Sequence, residues 1–118
     1  MKKILVIDDV AENRDIFTTL LEKDYEVFEA SDGLEGLAVA ETEQPDLIFM
    51  DISMPGMSGL DMISQLRKHA TLYPIPVIAV TAHSLFSARK AVDGGCNDYL
   101  LKPLTPNKIM EKIEKWID

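Results

Sequence analysis

A single cysteine, Cys96, among 118 residues leaves no partner for an internal disulfide, and a lone thiol suits a reducing compartment. The fold must therefore be held by its apolar core, in which Cys96 reads as one small buried residue. No apolar run approaches the ~20 residues that a membrane span needs, so no membrane role is expected. Met1-Lys2-Lys3-Ile4 has a basic pair but no separate apolar segment with a small-residue cleavage site. It reads as the start of a strand, and the expected location is cytoplasmic. Positive charge is scarce: 12 Lys and Arg stand against 20 Asp and Glu, for a net charge of −8. Without clustered Lys and Arg, direct binding to a nucleic-acid backbone is excluded. A cation or a protein surface suits this charge better. Repeats, low-complexity tracts and long Pro- or Ser-rich linkers are absent as well. The length fits one domain over residues 1–118, burying roughly two-thirds of its extended surface, with no room for an attached second domain.

What the chain does have is 47% apolar residues, arranged partly as short runs that stop at polar side chains. Residues 4–7 run into Asp8 and Asp9, residues 47–50 into Asp51, residues 77–80 into Thr81, and residues 99–101 into Lys102. Strands are predicted over 3–8, 25–30, 46–51, 76–81 and 97–101. Four of them lack clean alternation, as strands covered on both faces do. The second interleaves Glu26 and Glu29 with apolar residues, which places it at a sheet edge where charge discourages stray pairing.

Helical patterns fill the gaps. The predicted apolar faces are Ile16, Phe17, Leu20 and Leu21; Leu34, Leu37 and Ala38; Leu60, Ile63 and Leu66; and Ile109, Ile113 and Trp116. Helix starts are marked by Asp32 with Glu35, by Ser58 with Asp61, and by Thr105 followed by Pro106. Gly94-Gly95 supplies a left-handed stop after the fourth helix. Strict alternation of strand and helix with right-handed crossovers predicts an α/β fold. Its (βα)5 units form a doubly wound five-stranded parallel sheet of order 2-1-3-4-5. In that order the chain reverses direction between the first and third strands, and ligands bind in the crevice beyond such a switch point. Asp8, Asp9 and Asp51 are the residues at those two strand ends.

Carboxylates ~5 Å apart repel by about 3 kcal/mol even at an effective dielectric of ~20. Asp8, Asp9 and Asp51 set against Lys102 leave two negative charges, which one Mg²⁺ cancels. Hard oxygen ligands with retained water are what that ion prefers. A carboxylate nucleophile needs no base to deprotonate it, and no histidine stands among the strand-end residues. Aspartyl phosphoryl transfer therefore fits better than Ser–His hydrolysis, with the Lys102 ammonium and the Thr81 hydroxyl available to phosphoryl oxygens.

Ile7-Asp8-Asp9, the stretch MDISMPGMSG over 50–59, Val80-Thr81-Ala82 and Tyr99-Leu100-Leu101-Lys102-Pro103 closely resemble the receiver domain of two-component response regulators. The resemblance covers essentially the whole chain and implies the flavodoxin-like, CheY-like form of the fold. It implies that Asp51 accepts a phosphoryl group from a phosphohistidine of a sensor histidine kinase or a histidine phosphotransfer protein. It also implies Mg²⁺, with Mn²⁺ able to substitute. Asp9, Asp51 and the backbone carbonyl of Ser53 would bind the ion directly and Asp8 through water. By the same resemblance Thr81 and Lys102 hold the phosphoryl group, the Lys102–Pro103 bond is cis, and Tyr99 swings inward when Thr81 moves. That movement would be read by a downstream protein partner or an output domain. Such a module catalyses its own phosphorylation and dephosphorylation and is not a conventional turnover enzyme.

Val10, Ala11, Asn13 and Arg14 follow the acid pair and are expected to face a partner's helix; His83 is expected as a loop side chain at the pocket mouth. Three other readings compete. One is a receiver-like module that binds proteins without being phosphorylated. Another is a flavodoxin-like FMN carrier, which would want a Ser/Thr/Gly-rich phosphate loop where this chain has Asp8-Asp9-Val10-Ala11-Glu12. The third, a haloacid-dehalogenase-like phosphohydrolase, would place its nucleophile on the first strand and needs room for a cap.

Overall fold

In the computed structural model, which describes residues 1–52, 59–82 and 85–117, strands and helices alternate from end to end. The elements are β1 (Lys3–Ile7), α1 (Ala11–Leu21), β2 (Glu26–Ala30), α2 (Gly33–Glu43), β3 (Leu47–Asp51), α3 (Gly59–Lys68), β4 (Val77–Thr81), α4 (Leu85–Asp93), β5 (Asp98–Leu101) and α5 (Pro106–Trp116). All strand pairs are parallel, in the predicted order β2-β1-β3-β4-β5.

The unbroken apolar strands have a simple cause. Successive strand side chains point to opposite faces, and both faces are covered. Leu5, Ile7, Ile48, Met50, Val77 and Ala79 pack on the face covered by α2, α3 and α4, against Ala40, Met62, Ile63, Leu66 and Ala91. Ile4, Val6, Leu47, Phe49, Ile78 and Val80 pack on the other, against Phe17 and Leu21 of α1 and Ile109 and Ile113 of α5. Each fully buried side chain of this kind contributes about 1.5–3 kcal/mol relative to exposure. β2, at the edge, leaves Glu26 and Glu29 exposed.

Two helix faces differ from the pattern. On α2 the buried residues are Gly33, Gly36 and Ala40, whereas Leu34 is 66% exposed. The reason is close approach: a Cβ on Gly36 would lie 2.5 Å from Ile7 Cδ1, so the small residues, not Leu34 and Ala38, face the sheet. On α1, Phe17 and Leu21 are buried while Ile16 is exposed. Phe17 and Leu21, one turn apart, take the buried face, and Ile16 lies at its margin.

Local signals set the ends. The Asp32 carboxylate accepts the Glu35 amide at 2.8 Å, and the Glu35 carboxylate reaches back to the Ser31 amide. Thr105 Oγ1 accepts the Lys108 amide with Pro106 in the first turn. Gly95 holds φ +119°, in the region L side chains avoid, and its absent side chain leaves room for Ile63. The start marked by Ser58 lies outside the described residues.

Candidate functional site

β1 ends at Ile7, one residue before the predicted limit, because its Cα pairing with β2 stops at Ile7–Ala30. The Asp8 amide still donates to the Ala30 carbonyl at 3.1 Å, which carries Asp8 into the sheet edge. Asp51 is the last residue of β3 and Thr81 the last of β4. Lys102 follows β5, and its amide donates to the Thr81 carbonyl at 2.9 Å. Parallel pairing thus brings four strand ends to one edge. Ligand oxygens of Asp8, Asp9 and Asp51 lie within 4.8 Å of one another. Lys102 Nζ is 3.3 Å from Asp51 Oδ2 and 3.9 Å from Asp8 Oδ2.

The electrostatics are those of an incompletely balanced cluster. Asp8 is 2% exposed, Asp51 6% and Thr81 fully buried, while Asp9 is open to solvent. Burial pushes the Asp8 carboxyl above the usual carboxylate range. The Val10 amide opposes this, the Asp51 charge adds to it, and Lys102 and Asn13 oppose it again. Among the described residues, the Lys102 ammonium pairs with Asp8 and Asp51, while Asp9 faces solvent. A hard divalent cation fits this donor set, since its charge removes the remaining repulsion and oxygen ligands are its natural partners.

Thr81 lies opposite Leu101 in the β4–β5 ladder, and Ala79 opposite Tyr99. Period-two alternation puts Thr81 and Tyr99 on the same face of the sheet. The Tyr99 ring is partly buried, lines a cleft of about 350 Å³ with Arg89, Val92 and Asp93, and lies 5.6 Å from Lys112 Nζ. The Lys102–Pro103 bond is cis. Ser53, whose carbonyl was expected at the cation, and His83 lie outside the described residues.

Two residues take places the sequence did not suggest. Arg14, expected to face a partner, turns inward: its guanidinium donates to the Asp8 carbonyl at 2.7 Å and to Glu29 Oε1 at 2.9 Å. Asp98, at the opposite edge of the sheet, is a buried carboxylate apart from Asp8 and Asp51. It accepts from the Tyr99 amide, Lys112 Nζ, Lys115 Nζ and Trp116 Nε1. Burial alone would raise the Asp98 carboxyl, but the Trp116, Tyr99, Lys112 and Lys115 hydrogen bonds outweigh it and bring it down to about 2. Lys112, Lys115 and Trp116 share one helix face at spacings of three and four, the signal by which a buried acid opposite α5 can be sought.

A doubly wound parallel sheet with a cation-suited acidic pocket at its switch point defines a small class of α/β proteins. Within that class, this chain belongs to the response regulator receiver domain family of two-component signalling, whose sequence model matches residues 4–114. It is 36% identical to the polar-differentiation response regulator DivK of Brucella anthropi, over 98% of this chain and 96% of that protein. Its structure superposes on the chemotaxis protein CheY4 of Vibrio cholerae with a TM-score of 0.92, at 28% identity over 99% of both chains. It also superposes on the receiver domain of a sensor histidine kinase from Pseudomonas aeruginosa, with a TM-score of 0.90 at 29% identity over 98% and 97% of the two chains. In that structure a magnesium ion is coordinated in the active site cleft. Receiver domains bind Mg²⁺ at an acidic pocket and interact with histidine kinases and downstream effectors. Family membership removes the flavin-carrier and phosphohydrolase readings. Among the described residues, no helix is long and apolar enough to cross a membrane.

Proposed function

We propose that this chain is a Mg²⁺-dependent phosphoacceptor in which Asp51 takes a phosphoryl group from a phosphohistidine of a kinase or phosphotransfer protein. The observation that carries the proposal is the clustering of three carboxylates within 4.8 Å, with Lys102 Nζ 3.3 Å from Asp51. Asp9, Asp51 and the Ser53 carbonyl would hold Mg²⁺, with Asp8 acting through water and Mn²⁺ able to substitute. When bound, the ion neutralises charge on the transferring phosphoryl oxygens.

The chain's own residues do the rest. An Asp51 carboxylate oxygen forms the new bond to phosphorus as the phosphorus–nitrogen bond of the donor breaks, and the imidazole leaves with the electron pair. No proton need be removed from the nucleophile. Burial of Asp51 keeps competing water scarce, and Lys102, already beside it, is placed to hold a phosphoryl oxygen. The Thr81 hydroxyl donates to another. Its movement toward the phosphoryl group opens space for Tyr99 on the same face, changing the surface that a downstream partner reads. Shifting such an equilibrium from 1:99 to 99:1 needs ~5.5 kcal/mol, which a few charge-assisted hydrogen bonds of ~1.5–3 kcal/mol each supply.

The test is incubation with acetyl phosphate and Mg²⁺, followed by intact mass, with Asp51→Asn alongside. One phosphoryl adduct is expected on the wild type and none on the variant. An unmodified wild type would support the phosphorylation-independent binding module instead.

A further inference from the structure

We infer that Arg14 is a positioning residue for the acidic pocket, fixing the Asp8–Asp9 peptide in the geometry that takes up a divalent cation. This rests on the cation-dependent pocket proposed above. Cα pairing between β1 and β2 ends at Ile7–Ala30, so the Asp8 carbonyl lies past the last paired residues. Arg14 Nη1 meets that carbonyl at 2.7 Å. The Asp8 amide is held from the other side by the Ala30 carbonyl, and the Asp8 carboxylate by the Val10 amide at 2.9 Å.

Arg14 is itself anchored. Its Nε donates to Glu29 Oε1 at 2.9 Å, while Glu29 Oε2 accepts the Thr18 hydroxyl at 3.0 Å. Only 17% of the Arg14 side chain is exposed. The result is a strut from the edge strand β2 through α1 to the end of β1. The peptide bond is planar, so fixing the Asp8 carbonyl fixes the plane from which Asp9 departs. A planar guanidinium can serve two acceptors in this fork; a lysine ammonium is a single point on a flexible stem.

Charge and position predict opposite signs. As a nearby cation, Arg14 should oppose cation uptake, and its removal should tighten binding. As a strut, its removal should weaken binding.

The experiment is calorimetric titration of MgCl₂ into wild type, Arg14→Met, Arg14→Lys and Glu29→Gln, with Asp51→Asn as the pocket control, at a temperature where circular dichroism shows each folded. Arg14→Met and Arg14→Lys should each raise the Mg²⁺ Kd about tenfold or more, and Glu29→Gln should raise it less. An unchanged or lower Kd in Arg14→Met overturns the inference, even if its melting temperature falls. A wild type that takes up no Mg²⁺, or an Asp51→Asn that binds as well as wild type, overturns the pocket reading and the strut with it.

Discussion

The sheet buries carboxylates at both of its edges and treats them in opposite ways. At the carboxyl edge, Asp8, Asp9 and Asp51 cluster, the Lys102 ammonium lies beside Asp8 and Asp51, and the Asp8 carboxyl is pushed up. At the amino edge, Asp98 alone receives two lysines, an indole and a backbone amide, and is pulled down to about 2. Asp98 ties α5 to β5 and is complete within the chain. The switch-point cluster has the Lys102 ammonium beside Asp8 and Asp51 and is where the proposed Mg²⁺ would bind. The contrast separates a carboxylate that stabilises the fold from carboxylates held at some cost to it.

The largest expected effect is on chemistry. Asp51→Asn should abolish phosphoryl incorporation while leaving the Asp98 cluster and the fold intact, as intact mass and circular dichroism would show. Loss of folding instead would mean that the two edges are not independent.

Next comes Asp98→Ala, which leaves the partly buried Lys112 and Trp116 donors of α5 without their acceptor. It should destabilise the protein by about 2–3 kcal/mol in urea unfolding, followed by the fluorescence of Trp116. The pH dependence follows the same logic. Because the folded-state carboxyl lies below its ordinary value, its contribution is fully present above about pH 4 and is lost as pH falls toward about 2. That contribution is roughly 2 kcal/mol, and Asp98→Asn should remove this acid-limb dependence.

Asp8→Asn should have the opposite sign. It keeps an oxygen acceptor for the Val10 amide while removing one of three like charges, so the metal-free protein should gain about 1–2 kcal/mol. A destabilised Asp8→Asn would show that the cluster is as well balanced as Asp98. Smallest of all, Lys115→Ala should cost less than about 1 kcal/mol. Its side chain is 60% exposed, whereas that of Lys112 is 22% exposed.

The two edges were also unequally legible in sequence. Asp8, Asp51, Thr81 and Lys102 each terminate an apolar run, and a parallel sheet aligns the ends of such runs whatever the helices between them do. Asp98 precedes a run, and its partners lie 14 to 18 residues away on α5. Local periodicity does not tell how a helix is rotated and slid over a sheet. The same rotation explains why Leu34 points outward: Gly36 permits a contact with Ile7 that no hydrophobicity pattern encodes. Arg14 reads as an exposed helix-start residue until β2 is placed beside β1, when Glu29 and the Asp8 carbonyl come within its reach.

Urea unfolding of the wild type with and without Mg²⁺ tests the central distinction most directly. At a free concentration a hundredfold above its Kd, Mg²⁺ should add about 2.7 kcal/mol of stability. Asp51→Asn should lose most of that gain, and Asp98→Asn should retain it in full. A gain that survives in Asp51→Asn, or a wild type indifferent to Mg²⁺, would contradict the view that the switch-point acids await a cation.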